Sequence, residues 1–229
     1  MEPAKITVAA ASNLTGVFDE MATAFRNSTS VEVVLSYGST AQLTQQIENG
    51  APFDVFAAAD AQHIDQLVGS GKLRPDSRLV YARGQLALWA PETVKFELRT
   101  LNDLLRPEVR VIAIAEPELA PYGKAAVEAM KAAGLWDRVQ PKIVYASNIN
   151  MARQYATTGN ADVAFTAYSL VLKDPGKVIR VDAKLYSPID QALGVVAASA
   201  QQNLAKQFTA FVVAAQGKQI LRKSGYTIP

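Results

Sequence analysis

The sequence contains no cysteine and a single histidine, His63. The absence of cysteine excludes disulfides, thiolate nucleophiles and cysteine-ligated metals, although it does not fix the cellular compartment. One histidine excludes a multi-histidine zinc site, and a Ser-His-Asp triad would have to use His63. That residue lies in "DAQHIDQLVGSGKL", whose apolar spacing is typical of an amphipathic helix, so we expect a surface position rather than a catalytic one.

Long apolar runs and blocks of one charge are also missing. No stretch of about 18 apolar residues is present, so the sequence predicts no membrane span. Lys and Arg number 23 against 21 Asp and Glu, and they are scattered, which argues against nucleic-acid binding. The opening "MEPAKI" lacks the two regions of a signal peptide. We therefore expect either a cytoplasmic protein or one whose signal peptide has been replaced by an initiator Met.

Strand and helix patterns alternate through most of the 229 residues. Buried strands are indicated by "KITVAAA", "VEVVLSYG" and "DVFAAA", and each precedes an amphipathic pattern. The predicted helices of this half span about 14–27, 41–49 and 61–71, the last capped by Asp60. This order predicts an α/β fold with mainly parallel sheets that are covered by helices on both faces.

The second half repeats this plan without repeating the sequence. "VRVIAIA" and "KIVYA" precede predicted helices at about 123–133 and 149–158, and further helices end the chain. We expect two lobes, joined by crossovers near 81–85 and 186–194, and one continuous doubly wound sheet is the alternative. The expected bounds are 1–82 plus 193–229 for the first lobe and 83–192 for the second.

Four strand-to-helix corners carry neutral polar residues: "AASN", "SYGST", "APYG" and "YASNI". Ligands of open α/β sheets bind at this edge, and Gly38 and Gly123 allow close backbone approach. None of these corners contains a carboxylate, and Lys124 is the one positive charge nearby. Free helix N–H groups attract anions, so the corners predict an anion site, with simple helix capping as the alternative. The phosphate-binding patterns GxxxxGK[ST] and GxGxxG are absent.

The chain resembles the molybdate-binding proteins of bacterial ABC importers, the ModA family, over nearly its full length. The segments that carry the resemblance are "KITVAAASN", "GSTAQLTQQIENGAPFDVFAAAD", "APYGKAAVEAM", "LWDRV" and "ILRKSGYTIP". The resemblance implies the two-lobed type II periplasmic-binding-protein fold, which closes on a tetrahedral oxyanion. It implies no cofactor, and molybdenum enters only as the oxyanion.

The resemblance also assigns the anion-binding residues: Ser12, Asn13, Ser39, Thr40, Tyr122 and Ile149. Hydroxyls come from the first two corners, a backbone amide from Ile149, and both an amide and a phenol from Tyr122. Much of the family has a binding tyrosine where this chain has Ala167, one residue before Tyr168. We therefore interpret Tyr122 as the substitute donor.

The function that follows is capture of molybdate, and of tungstate, between the lobes, with delivery to the membrane permease. We expect a monomer without enzymatic activity that binds no nucleic acid and lies in the periplasm or on a lipid anchor outside the membrane. Alternatives are another anion (sulfate, phosphate or an organic acid), an enzyme using Tyr122 with Lys124, and a sensor module, which would need a DNA-binding domain. Trp89 and Trp136 are expected in the core of the second lobe, and Asp54 and Asp60 in solvated or capping roles.

Overall fold

The computed structural model describes residues 4–229, and this part of the chain forms two compact units. The first unit contains the residues up to Arg83 together with Asp190–Pro229, and the second contains Gly84–Ile189. Both divisions fall inside the two segments that were expected as crossovers. Residues 190–192, expected in the second lobe, lie in the first unit, because they belong to a strand of its sheet. No helix in the described part of the chain has the length and apolar character needed to cross a membrane.

The described chain contains strands and α-helices in near-regular alternation. The strands are β1 (Lys5–Ala11), β2 (Glu32–Gly38), β3 (Val55–Ala57), β4 (Leu79–Gly84), β5 (Leu86–Pro91), β6 (Ile112–Ala115), β7 (Ile143–Ala146), β8 (Val163–Ala167), β9 (Gly176–Arg180) and β10 (Ile189–Val195). The helices are α1 (Val17–Thr29), α2 (Thr40–Glu48), α3 (Gln62–Gly69), α4 (Pro121–Ala132), α5 (Trp136–Val139), α6 (Ile149–Thr157), α7 (Tyr168–Val171), α8 (Gln202–Val213) and α9 (Ala215–Lys223). Short 3-10 turns lie at Ser12–Leu14, Pro75–Ser77, Leu101–Leu105, Gln140–Lys142 and Ala183–Leu185.

Each unit has one five-stranded sheet, and the two sheets follow the same plan. The strand order is β2-β1-β3-β10-β4 in the first unit and β7-β6-β8-β5-β9 in the second. In the first, β1 is parallel to β2 and β3, and β10 is antiparallel to β3. In the second, β6 is parallel to β7 and β8, and β5 is antiparallel to β8 and β9. The expected α/β architecture is confirmed, with antiparallel strands added to each parallel core.

The first strand shows why its sequence is apolar almost throughout. Successive side chains of a strand point to opposite faces, and both faces of β1 are covered. Ile6 and Val8 pack in a cluster with α1 and the C-terminal helices, whereas Ala9 packs with α2 and α3. In the first cluster the ring of Phe208 meets that of Phe25 edge-on, at a centroid distance of 5.3 Å. The C-terminal helices thus complete the core of the first unit, as the two-lobe prediction requires.

Two sequence interpretations need correction in the fold. The segment 81–85 was interpreted only as a crossover, but Leu79–Gly84 is strand β4, the neighbour of β10. Trp89 lies in the core of the second unit, as predicted, whereas Trp136 is only partly buried. The amine of Lys131 lies 5.7 Å from the Trp136 ring centroid, which is within the range of a cation–π interaction.

Candidate functional site

The first two polar corners lie side by side at one edge of the first sheet. β1 and β2 are parallel and in register, with Ala11 opposite Gly38 at their carboxyl ends. Ser12 directly follows the first of these residues and Ser39 the second, so the pairing brings both corners together. Both serines are buried. The sheet therefore assembles a compact group of neutral polar side chains from segments that are far apart in the sequence.

The hydroxyls of Ser39 and Thr40 both accept hydrogen bonds from backbone N–H groups. Ser39 is the N-cap of α2, and its Oγ accepts from the N–H of Gln42 at 3.3 Å. Thr40, which is 1% exposed, accepts at its Oγ1 from the N–H of Ala59 at 3.1 Å. This second bond joins the start of α2 to the segment after β3. Each hydroxyl serves as an acceptor within the protein and retains its own hydrogen as a donor.

The first corner differs from the helix cap that its sequence suggests. α1 begins at Val17, not near residue 14, and its N-cap is Gly16, whose φ of 81° is a left-handed conformation that favours glycine. The carboxylate of Asp19 completes that cap by accepting from the Gly16 N–H at 2.8 Å. Ser12 and Asn13 belong to the 3-10 turn before it and make no side-chain cap. The capping alternative is therefore wrong for these two residues.

Asn13 is fully buried, and its side chain is directed into the first unit. Its Nδ2 donates to Gln191 Oε1 and to the hydroxyl of Tyr226, both at 2.9 Å. The Tyr226 hydroxyl in turn donates to the carbonyl of Asn13 at 2.9 Å. Both amide hydrogens of Asn13 are thus used inside the first unit. The assignment of Asn13 to the anion stays a prediction.

Charged groups near these corners are engaged with the protein. Besides its cap bond, Asp19 accepts a hydrogen bond of 3.1 Å from the hydroxyl of Tyr37, which is the next-to-last residue of strand β2. Burial, and secondly the charge of Asp19, raise the pKa of Tyr37 well above its ordinary value, so this phenol stays neutral. After β3, Asp60 accepts from the N–H of His63 at 3.0 Å and lies 2.8 Å from that residue's Nδ1. The predicted capping role of Asp60 is confirmed.

The second unit builds its two corners in the same way. β6 and β7 are parallel and in register, with Ala115 opposite Ala146 at their carboxyl ends. α4 follows the first strand and carries Tyr122, which is 1% exposed, in its first turn. A Cβ on Gly123 would lie 2.1 Å from the carbonyl oxygen of Ala115, so only glycine lets α4 approach the strand end this closely. The expected need for close backbone approach at this glycine is confirmed.

The fourth corner begins α6 at Ile149. Asn148 is its N-cap, accepting at Oδ1 from the N–H of Met151 at 2.9 Å. The first N–H groups of a helix, here those of Ile149 and Asn150, have no partner within the helix. They are donors at the end of the helix that carries positive partial charge. Ile149 is itself buried, so its contribution to a ligand would be this backbone group.

Other candidate residues have structural positions. Tyr168 begins α7, with the guanidinium of Arg180 5.5 Å from its ring centroid, and Ala167 is buried before it. Asp54 accepts from the backbone of Thr7 and from the hydroxyl of Ser199, so it joins two segments. Among residues 4–229 no three His, Asp or Glu side chains are grouped so that they could hold a metal ion.

Sequence reasoning missed the residues that fix Asn13, namely Gln191 and Tyr226, together with Tyr81, which contacts Gln191. Gln191 lies 178 residues from Asn13 in the sequence and Tyr226 lies 213 residues from it, so no local pattern links them. One signal was available. Gln191 alternates with Ile189 and Leu193 along "IDQALGV" and so shares their apolar face, where a polar side chain needs a buried partner.

The family model and the most similar sequences all describe solute-binding proteins. The family described as bacterial extracellular solute-binding protein matches residues 6–227. The molybdate-binding protein ModA of Rhodobacter capsulatus is 35% identical over 97% of this chain and 88% of its own length. ModA of Azotobacter vinelandii is 33% identical over 98% of this chain and 90% of its own length.

Solved structures give the same result. The periplasmic molybdate-binding protein of Azotobacter vinelandii matches with a TM-score of 0.91 at 32% identity, covering 98% of this chain and 99% of that one. The sulfate-binding protein SubI of Mycobacterium tuberculosis matches with a TM-score of 0.82 at 18% identity, covering 98% and 87%. The second likeness concerns the fold alone, so the fold does not by itself select the anion.

Proposed function

Because this chain belongs to the ModA family of bacterial extracellular solute-binding proteins, we propose that it binds molybdate and delivers it to an ABC importer. Its fold is the type II periplasmic-binding-protein fold. The family's activity is solute binding, which agrees with the neutral, donor-rich corners of both sheets. The partner in delivery is the membrane permease of the importer.

One observation carries the proposal: the hydroxyls of Ser39 and Thr40 accept from backbone N–H groups and donate to no residue among 4–229. Each hydroxyl has a single hydrogen, which is therefore available to an external acceptor. A fully deprotonated dianion offers acceptors only, so a lining of donors is complementary to it. Ser12, whose hydroxyl bonds to no residue in the same described range, adds a third such donor.

The second unit supplies backbone donors in the proposal. The N–H of Ile149 lies at the start of α6, where the helix dipole favours negative charge. Tyr122 adds its backbone N–H and its phenol from the first turn of α4. In the first unit the proposed donors are Ser12, Asn13, Ser39 and Thr40. No side-chain cation is among them, so selectivity depends on donor geometry and the size of the site.

Tungstate is proposed as a second ligand, because it has the shape, charge and nearly the size of molybdate. Sulfate and phosphate are smaller, and the protonated form of phosphate would need an acceptor that the proposed lining lacks. We propose that the protein acts as a monomer in the periplasm, or anchored by lipid outside the membrane. Another oxyanion as the natural cargo is the remaining candidate.

A thermal-shift panel tests this function. Molybdate and tungstate at roughly 1,000 times their dissociation constants should add about 4 kcal/mol to the free energy of unfolding. For a chain of this size that raises Tm by about 8–16 °C. Sulfate and phosphate at equal ionic strength should raise Tm far less, and potassium chloride serves as the salt control. An equal response to sulfate would contradict molybdate selectivity, and no response to any anion would refute the anion site.

A further inference from the structure

Four buried polar side chains of the first unit form one hydrogen-bonded network. Its members are Asn13, Tyr81, Gln191 and Tyr226, of which none is more than 5% exposed. In addition to the bonds made by Asn13, the network contains the hydroxyl of Tyr81. This hydroxyl lies 3.0 Å from Gln191 Oε1 and 2.9 Å from the carbonyl oxygen of Ala58. Burial raises the pKa of Tyr81 well above its ordinary value, so it remains a neutral donor.

The network joins five separate segments of the first unit. Asn13 lies in the turn after β1, Tyr81 on β4, Gln191 on β10, and Tyr226 beyond α9. Ala58 directly follows β3. Buried hydrogen bonds of this kind hold the groups that they join, and the loss of such a bond is strongly destabilising in a low-dielectric interior. The 3-10 turn is therefore held by contacts with strands on the far side of the sheet as well as by its own chain.

The turn needs such support because Ser12 has no side-chain bond of its own. Its carbonyl accepts from the N–H of Thr15 at 3.3 Å and from that residue's hydroxyl at 2.8 Å. On the other side, the Tyr226 hydroxyl donates to the carbonyl of Asn13. These bonds hold the carbonyls of Ser12 and Asn13, and hence the backbone from which the Ser12 hydroxyl projects.

We infer that the side chains of Asn13, Gln191, Tyr81 and Tyr226 are positioning groups, which orient the Ser12–Leu14 turn for the anion without touching it. The inference rests on the proposed function and deepens it. It separates two roles for Asn13: the backbone N–H donates to the anion, and the side-chain amide anchors the turn. Affinity for the anion therefore depends on a tyrosine that lies 213 residues away in sequence and makes no contact with the ligand.

Calorimetric titration of molybdate into Tyr226→Phe tests this inference. The substitution removes one hydroxyl that both accepts from and donates to Asn13. We expect about a tenfold loss of affinity, by analogy with the loss of metal affinity when a hydrogen-bonding partner of a metal ligand is removed. Tyr186→Phe is the matched control, because it removes a hydroxyl that accepts from the N–H of Leu86 at 3.1 Å, outside the network. The control should keep wild-type affinity even if its Tm falls.

A double-mutant cycle shows whether the network acts through the turn. In a Ser12→Ala background the Tyr226→Phe substitution should weaken binding less than it does in the wild type, because the hydroxyl that it orients is gone. Strictly additive losses would overturn action through Ser12. Tyr81→Phe, which leaves both Asn13 amide bonds in place, should lose less affinity than Tyr226→Phe and carries the test if the latter does not fold.

The outcomes separate the two proposals. Wild-type protein that binds molybdate, together with network variants of unchanged affinity, would overturn the positioning role alone. Wild-type protein that binds no molybdate would overturn the proposed function and this inference with it. A lower Tm with unchanged affinity in the network variants would show a purely structural network.

Discussion

Thr40→Val is the substitution that most directly separates a structural hydroxyl from an anion-binding one. Valine has nearly the shape of threonine, so the change removes the hydroxyl and leaves the packing of α2 in place. In the wild type that hydroxyl accepts from the N–H of Ala59, which is 2% exposed. The variant leaves this buried N–H without its partner, at a cost of about 1–3 kcal/mol in the free energy of unfolding.

The same substitution should lower anion affinity by a separate amount. A hydrogen bond to a charged group contributes about 1.5–3 kcal/mol, which is roughly a ten- to hundredfold change in dissociation constant. Calorimetric titration with molybdate measures this change on folded protein, well below Tm. Thr40→Ser keeps the hydroxyl and should retain most of the affinity.

Thr44→Val provides the matched control on the same helix. Thr44 lies one turn after Thr40, is also buried, and donates from Oγ1 to the Thr40 carbonyl at 2.8 Å. The variant should lower the free energy of unfolding by no more than about 1 kcal/mol, because it removes one neutral hydrogen bond. Its molybdate affinity should equal that of the wild type. Equal affinity in Thr40→Val and Thr44→Val would refute the assignment of the Thr40 hydroxyl to the anion.

Three further predictions concern the corners and the pH dependence of stability. Ser12→Ala should change the free energy of unfolding by less than about 0.5 kcal/mol, since the serine side chain caps no helix. Calorimetry should nevertheless show a roughly ten- to hundredfold loss of molybdate affinity, and unchanged affinity would exclude the Ser12 hydroxyl from the site. Gly123→Ala should lower the free energy of unfolding by about 1–3 kcal/mol in denaturant titrations, since its Cβ would meet the Ala115 carbonyl. The control Gly69→Ala, whose Cβ would lie in open space, should raise that free energy by about 0.5–1 kcal/mol. Equal effects of the two substitutions would contradict the close approach at Gly123. Backbone N–H groups, and secondly an arginine, hold the pKa of Asp103 at about 2 instead of 3.8. Its contribution to the free energy of unfolding is therefore present above about pH 4 and is lost as the pH falls toward 2. The difference in that free energy between wild type and Asp103→Asn should close over this range in unfolding titrations, and a constant difference would contradict the shift.

The sequence predicts those elements whose local patterns agree with their tertiary setting. α2 was expected at about 41–49 and spans Thr40–Glu48, and α6 was expected at about 149–158 and spans Ile149–Thr157. In both, a polar cap and an apolar stripe occur where the helix begins. The start of α1 was misjudged because Leu14 is buried like a helix residue although it lies in the 3-10 turn. Gly16 was the local signal for the true start, because glycine readily adopts the left-handed conformation that it has before α1.

The candidate site was predictable to the extent that it depends on strand ends. Ser12 and Ser39 follow apolar strands, and parallel register then brings them together. The orientation of Asn13 was not predictable, because its partners lie on β10 and at the C-terminus. Local sequence contains no information on which of two hydrogen-bonding surfaces, a ligand or the protein interior, an amide will face.

The place of β10 in the first sheet has a consequence for how the chain reaches this fold. β10 lies between β3 and β4, which are both present in the chain before residue 85. Their facing edges stay without hydrogen-bond partners until the strand Ile189–Val195 arrives, more than 100 residues later along the chain. Contacts of such long sequence separation form late. The second unit, by contrast, is one continuous segment and can acquire its sheet first.

Both tryptophans of the protein lie in that continuous segment, at positions 89 and 136. Intrinsic tryptophan fluorescence therefore reports on the second unit, whereas far-ultraviolet circular dichroism reports on both. During refolding from denaturant the fluorescence change should precede the last part of the dichroism change. We therefore expect the first unit to complete its sheet after the second, and until β10 pairs, the facing edges of β3 and β4 are open to mispairing with other chains.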